Sequence, residues 1–342
     1  MDVTFDGERV YAGNDARERF YDSRGYGTPC GGDLELSAVE TAHLLYRGDL
    51  DSVRDTRDGN SLDFHAFLAS RAVSEVDFFV YKDLRDRGFY LSPAESDADF
   101  HVYPRGKGPW DDEIAYRVRA VSERTEVDTG QLRKLSASTG TGVLAVVDEE
   151  SEVSYFELGQ PVVEGSTDHD IAEMTGELLA DRVLVESPPE SLHQHAFYGQ
   201  RLDQDRDAVQ LSLVEAAFLA GEGLLSLKGD SDDQQAITGR GRAVEGDRFD
   251  RRLRVYEQLR NSGVVPKTGF KFGADFRTYA DVESIDNLGH SEYLVRVLPG
   301  KYVFSPRDIA LDVRLAHGVR KEMLFALVDD DTEWLSVTRL TP

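Results

Sequence analysis

The sequence predicts an α+β fold written twice in tandem, each copy an N-terminal α/β subdomain followed by a small mixed sheet flanked by helices. Three observations predict it. LELSAVETAHLL, Leu34 to Leu45, returns as VQLSLVEAAFLA, Val209 to Ala220, and VYKDLRDRG from Val80 returns as VYEQLRNSG from Val255. DFHVY ending at Tyr103 returns as DFRTY ending at Tyr279, and VLAVVDEES returns as MLFALVDDDT with Ala145 on Ala326. Four blocks repeated in one order mark a duplication. Within each copy, helix-period patterns come first and period-two patterns after. Between the copies lies the polar run VEGSTDHD near Val162 to Asp170. The expected division is 1–165, with subdomains 1–88 and 89–165, and 166–342, with subdomains 166–263 and 264–342.

The elements follow in order. Ser37 and Ser212 stand three residues before Glu40 and Glu215 and open apolar runs. Each is a capping box, in which hydroxyl and carboxylate satisfy backbone donors that a helix start leaves free. A second helix pattern places Phe249, Leu253, Tyr256 and Leu259 on one face, with Gly263 past its end; its counterpart carries Phe78, Tyr81 and Leu84 before Gly88. In the second copy Phe270, Phe272, Ala274 and Phe276 alternate as a strand, and Tyr293, Val295 and Val297 as a half-buried one. Ser305, Pro306 and Asp308 start a helix. Run to Lys321, it buries Ile309, Val313 and Ala316 and sets Arg314, His317 and Lys321 on one face. Two last strands, LFALV and WLSVTRL, flank Asp329 to Asp331.

Composition narrows the functional classes. The 342 residues carry 39 Lys plus Arg against 64 Asp plus Glu, a net charge of -25, and only 8 of the basic residues are Lys. So acidic a surface suits very high salt, where screening acts within about 3 Å at 1 M. The single Cys30 allows no internal disulfide. No signal-peptide pattern opens the chain and no run of about 18 apolar residues occurs, so a cytoplasmic protein with no membrane association is expected. No His and Cys cluster suggests a metal, and no cofactor is expected.

Chemistry concentrates between Lys267 and Met323. Tyr279 follows one strand pattern, His290 precedes the next, and Lys321 ends the helix pattern. A phenol, an imidazole and an ammonium make an acid, a base and an anion clamp. The first copy is an internal control: Tyr279 has the counterpart Tyr103, but His290 aligns with Glu113 and Lys321 with Gly140. One copy keeps the scaffold and loses two of three polar groups, as a structural repeat beside an active one would.

GFKFGADFRTY, HSEYLVRV and RLAHGVRKEM resemble, in order and spacing, the three signature blocks of the archaeal tRNA-splicing endonuclease family. The resemblance covers essentially the whole chain and is to the homodimeric two-repeat form of haloarchaeal type, with its nuclease-like second subdomain. It implies metal-independent cleavage of precursor tRNA and other bulge-helix-bulge RNA, leaving a 2′,3′-cyclic phosphate and a 5′-hydroxyl. By the family's motif Tyr279 is the general base on the 2′-hydroxyl, His290 the general acid on the departing oxygen, and Lys321 the stabiliser of the transition state. The residues alone leave open which of Tyr279 and His290 is the base, since an ordinary phenol near pKa 10 is a poor one. The resemblance also implies an RNA clamp of Arg314 and Trp334 stacking on a bulged base. It matches Asp148, Glu149 and Glu150 to a loop that docks on the partner subunit. A non-catalytic RNA-binding or structural subunit is the alternative, and the complete Tyr279, His290 and Lys321 set argues against it.

An anionic substrate needs local cations. Between Arg251 and Ala280 stand Arg251, Arg252, Arg254, Arg260, Lys267, Lys271 and Arg277 against Glu257 and Asp275, and the last helix adds Arg314, Arg320 and Lys321. The second copy is expected to be locally basic inside an acidic shell.

Overall fold

The computed structural model describes residues 3–94, 96–111, 113–137, 140–203, 206–229 and 233–342. The chain forms two compact units, one of Met1–Gly159 with Val303–Ala310 and Thr338–Pro342, the other of Gln160–Tyr302 and Leu311–Val337.

The first unit opens with β1 (Val3–Phe5), β2 (Val10–Ala12), β3 (Thr28–Cys30), β4 (Asp33–Leu36), α1 (Ala38–Tyr46), β5 (Val53–Asp55) and β6 (Ser61–Leu62). Its strands lie in the order β3-β4-β2-β1-β5-β6. Helices α2 (Phe64–Ala69) and α3 (Glu75–Asp86) lead to β7 (Leu91–Pro93), β8 (Phe100–Val102), β9 (Tyr116–Ser122), β10 (Val127–Asp128), α4 (Thr129–Ala137), β11 (Thr141–Val147) and β12 (Val153–Gly159). Here the order is β7-β8-β9-β11-β12. Strands β9 and β11 are parallel and the other neighbours antiparallel, because α4 carries the chain across between them.

The second unit repeats this plan. First come β13 (Met174–Leu178), β14 (Arg182–Glu186), α5 (Glu190–Gln194), β15 (Gln200–Arg201), β16 (Ala208–Ser212), α6 (Leu213–Gly221) and β17 (Leu225–Leu227), with strand order β15-β16-β14-β13-β17. After α7 (Asp233–Glu245) and α8 (Asp247–Asn261) follow β18 (Val265–Thr268), β19 (Phe276–Tyr279) and β20 (Tyr293–Pro299). The chain ends with β21 (Val303–Phe304) and α9 (Pro306–Gly318), of which Val303–Ala310 count with the first unit, then β22 (Glu322–Val328) and β23 (Thr332–Leu340). The strand order in this half is β18-β19-β20-β22-β23, with β20 and β22 parallel.

Both capping boxes form, Ser37 with Glu40 and Ser212 with Glu215, each worth about 1 kcal/mol of helix start. Phe249, Leu253, Tyr256 and Leu259 on α8, and Phe78, Tyr81 and Leu84 on α3, are buried. Gly263 and Gly88 turn left-handed just past these helices, at φ 75 and φ 91, as helix C-caps do.

Three expectations are corrected. Phe270 to Phe276 is not one strand: Phe270–Phe272 is a 3-10 turn and Phe270 is 86% exposed. Gly273, at φ 72, lets the chain reverse between β18 and β19, so the apparent alternation spans a hairpin turn. Strand β20 is buried on both faces, through Leu294 and Leu298 as well as Val295 and Val297. It lies between β19 and a parallel partner, the setting in which strands are covered on both sides. Helix α9 buries Ile309, Val313 and Ala316 as expected but stops at Gly318. Arg320 there adopts φ 57, and the Lys321 N–H donates to the Ala316 carbonyl at 2.9 Å. That six-to-one bond is a Schellman cap, and it takes Lys321 off the helical face of Arg314.

Candidate active site

Tyr279 ends β19. Its ring is buried in a small cluster with Phe197, Val265 and Val282, packed edge-on to Phe197 at 5.7 Å between centroids. The Arg277 guanidinium lies 5.6 Å from the same ring. The chain then leaves the sheet and returns where the Glu292 N–H donates to the Thr278 carbonyl at 3.0 Å and the Tyr293 N–H to Thr278 Oγ1 at 3.3 Å. His290 stands exposed just before this return, beside the buried Ser291.

Lys321 meets the same place from the other side. After the cap of α9 its Nζ donates to the Ser291 carbonyl at 2.8 Å, and the Glu322 N–H to the Glu292 carbonyl at 3.1 Å. Burial, then the nearby Arg277 charge, push the Lys321 ammonium below its ordinary value. Strand β19 ends where β20 and β22 begin, so Tyr279, His290 and Lys321 stand at one end of three adjacent strands. An open cleft beside them is lined by Glu292, Tyr293, His317, Arg320 and Lys321. His317, which the helix pattern places on a face with Arg314 but which is not among the expected catalytic residues, lines this cleft with Lys321.

The first copy shows what differs. Its register Phe100↔Val118 and Val118↔Val143 corresponds to Phe276↔Val295 and Val295↔Leu324, which sets Glu113 and Gly140 at the positions of His290 and Lys321. The Tyr103 hydroxyl is engaged by Ser92 Oγ at 2.6 Å. The Tyr279 hydroxyl has no hydrogen-bond partner among the described residues.

Arg314 is exposed on α9, while Trp334 on β23 is half-buried against the core of its unit. The expected face shared by Arg314 and Lys321 is not formed, because the helix ends first. Asp148 to Glu150 form the exposed turn between β11 and β12. Asp148 Oδ1 accepts the Glu150 and Glu152 N–H groups, each at 2.9 Å, and Glu149 pairs with Arg124 at 2.7 Å.

The local basic run is mostly engaged internally. Arg252 pairs with Glu245 at 2.6 Å and Asp275 at 3.3 Å, Arg254 donates to the Asp329 and Asp330 carbonyls, and Arg260 stacks on Tyr198 at 3.7 Å. Lys267 Nζ is buried on Glu215 Oε1 at 2.7 Å and on the Gly199 carbonyl at 3.0 Å. Burial drives the Glu215 carboxyl upward, but Lys267 and donors from Ser212 and Gly199 outweigh it and hold it at about 2. Counting charges along the sequence missed these partners, since Glu215 and Glu245 lie outside the run. Of the basic residues counted from the sequence, Arg251, Lys271, Arg277, Arg314, Arg320 and Lys321 form no ion pair among the described residues.

The sequence reading named Arg277 only as part of the basic run, and it did not bring Ser291 or Phe197 beside Lys321 and Tyr279. Arg277 stands two residues before Tyr279 on one strand face, a signal that was present. Ser291 acts through its backbone carbonyl, which no side-chain pattern reports.

The family model of the tRNA intron endonuclease catalytic C-terminal domain matches residues 75–155 and again 249–338, and that of the N-terminal domain matches 1–68 and 174–237. The chain belongs to the tRNA intron endonuclease family. Each half thus carries both tRNA intron endonuclease domains, and the fold is a tandem duplication. A tRNA-splicing endonuclease of Haloarcula marismortui is 60% identical over 100% of both chains. One of Natronomonas pharaonis is 56% identical over 97% of each, and one of Methanosarcina barkeri 38% over 99% of each. The activity of this family is endonucleolytic cleavage at tRNA introns. Among the described residues no helix is long and apolar enough to cross a membrane.

Proposed function

We propose that the chain cleaves precursor tRNA, and other RNA with the same fold, at bulge-helix-bulge junctions by internal attack of a 2′-hydroxyl. The products carry a 2′,3′-cyclic phosphate and a 5′-hydroxyl. The observation that carries this reading is the gathering of Tyr279, His290 and Lys321 at one end of β19, β20 and β22, with the Lys321 ammonium anchored beside His290. Tyr279 takes the proton of the 2′-hydroxyl, His290 gives one to the departing 5′-oxygen, and Lys321 holds the charge on the phosphorane. One proton removed, one delivered and one negative charge stabilised complete the reaction, so no metal is required.

Arg314 and Trp334 serve as the stacking clamp for a bulged base, which reads RNA shape more than sequence. Trp334 is half-buried, so its exposed part supplies the platform. The working enzyme is a homodimer, with the Asp148 to Glu150 turn docking on the partner, 1–165 as the structural repeat and 166–342 as the catalytic one. It acts in the cytoplasm of a salt-accumulating cell, in keeping with the net charge of -25.

The test is cleavage of an intron-containing precursor tRNA in EDTA at molar KCl, followed by end-group analysis. Cyclic phosphate and 5′-hydroxyl ends are expected. Ends with a 3′-hydroxyl, or cleavage that needs a divalent cation, would overturn the proposal, and tight binding without cleavage would point to a non-catalytic subunit.

A further inference from the structure

The two copies diverge sharply under the Tyr279 ring. Gly25, Tyr26 and Gly27 in the first copy correspond to Phe197, Tyr198 and Gly199 in the second, since Thr28 pairs with Glu35 as Gln200 pairs with Gln210. The Gly27 N–H donates to Glu40 Oε1 at 2.7 Å as the Gly199 N–H does to Glu215 Oε1 at 2.9 Å. The backbone keeps its left-handed turn in both, at φ 64 for Gly25 and φ 54 for Phe197. Glycine adopts that conformation freely, whereas a bulky side chain is strained there. The second copy thus keeps an aromatic ring at a position whose backbone favours none.

That ring is buried between two groups the first copy treats differently. On one side it meets Tyr279 edge-on at 5.7 Å. On the other the Lys267 ammonium sits 4.8 Å from its centroid, fixed by the buried bond to Glu215 at 2.7 Å. At the position of Lys267 the first copy has Ser92, as the pairing of β7 with β8 and of β18 with β19 shows. Ser92 binds the hydroxyl of Tyr103 directly. A hydrogen bond holds a phenol by occupying its oxygen, whereas an edge-on ring holds it by its carbon frame and leaves the oxygen for substrate.

We infer that Phe197 is a positioning residue that orients the Tyr279 phenol for RNA cleavage, wedged in its strained turn by the buried Lys267–Glu215 pair. This rests on the reading of Tyr279 as the base. The ring fixes the phenol while leaving it chemically unoccupied, which the hydroxyl contact of the first copy does not.

The experiment compares single-turnover cleavage at saturating precursor tRNA, and RNA affinity, in Phe197→Gly, Phe197→Tyr, Tyr279→Phe and the Phe197→Gly, Tyr279→Phe double variant. Phe197→Gly is expected to lower the rate about tenfold or more with affinity unchanged, since small misplacements of a reacting group have effects of that size. Phe197→Tyr, which keeps the ring, restores the rate, and Phe197→Gly adds no further loss once Tyr279 is Phe. Should Phe197→Gly melt below the assay temperature, Phe197→Leu keeps the bulk without the ring and gives the same comparison. Losses that multiply in the double variant, or an unchanged rate in Phe197→Gly and Phe197→Leu while Tyr279→Phe is inactive, would overturn the inference alone. Full activity in Tyr279→Phe would instead overturn the reading it rests on.

Discussion

In the proposed mechanism Lys321 works through position more than through number of contacts. Its anchor to the Ser291 carbonyl leaves two of three ammonium protons free to face a phosphorane. Lys321→Ala is therefore expected to lower the single-turnover rate by about 10² to 10³, the size seen when one oxyanion donor is removed, with RNA affinity changed little; quench-flow and filter binding would separate the two. A large loss of affinity with the rate intact would make Lys321 a binding residue. Its neighbours differ in how readable they were. His290 and Lys321 stood out in the sequence as candidates because the first copy lacks both while keeping Tyr103. Phe197 did not, because its contact with Tyr279 depends on backbone conformation and on a partner far along the chain.

At the scale of elements, the ends of helices and strands matter more than their middles. Helix α9 stops early because Arg320 accepts φ 57 and the cap closes at Lys321, and periodicity carries no signal for such a stop when the left-handed position holds an arginine and not a glycine. Arg320→Gly should raise stability by about 1 kcal/mol, the strain of a left-handed non-glycine residue, read as a higher denaturation midpoint. An unchanged or lower midpoint would mean that the Arg320 side chain contributes more than its backbone loses. The Lys267–Glu215 pair ties strand β18 to helix α6. Lys267→Met should destabilise the chain by about 3 to 5 kcal/mol by leaving a buried carboxylate unpaired, and adding Glu215→Gln should recover part of that loss. The pH dependence follows from the depressed carboxyl of Glu215. Its stabilisation is complete above the ordinary glutamate value, about 4.3, and is lost as pH falls toward about 2. Glu40, with no such cation and raised by burial, has the opposite sign, favouring the folded state where it is protonated. Chemical denaturation of Glu215→Gln should thus show less loss of stability on acidification than the parent. Capping boxes and helix faces were legible because they rest on local spacing, but the turn at Gly273 was concealed by phenylalanines that happened to alternate through it.

For the whole molecule the governing quantity is a charge of -25 on a protein that must hold RNA. Many cations of the second copy are engaged internally, so few remain for phosphates. Affinity should accordingly fall only gently as KCl rises, because the slope counts the phosphates neutralised, and a titration giving a slope steeper than about six ions would contradict this. Folding should run the other way, with the melting temperature falling as KCl drops from molar to about 0.1 M and the screening length grows from about 3 to about 10 Å. The duplication was legible across the full chain because its blocks kept their order. The site itself was legible in part, since it forms only when the end of one strand and the starts of two others meet. The measurement that tests this most directly pairs His290→Ala with a precursor RNA carrying sulfur in place of the departing 5′-oxygen at the scissile bond. A thiolate leaves without a proton, so a variant lacking the general acid should cleave the sulfur substrate at close to the parent's rate while remaining inactive on ordinary RNA. Equal impairment on both substrates would contradict the assignment of His290 as the proton donor, and with it the proposed division of labour at this site.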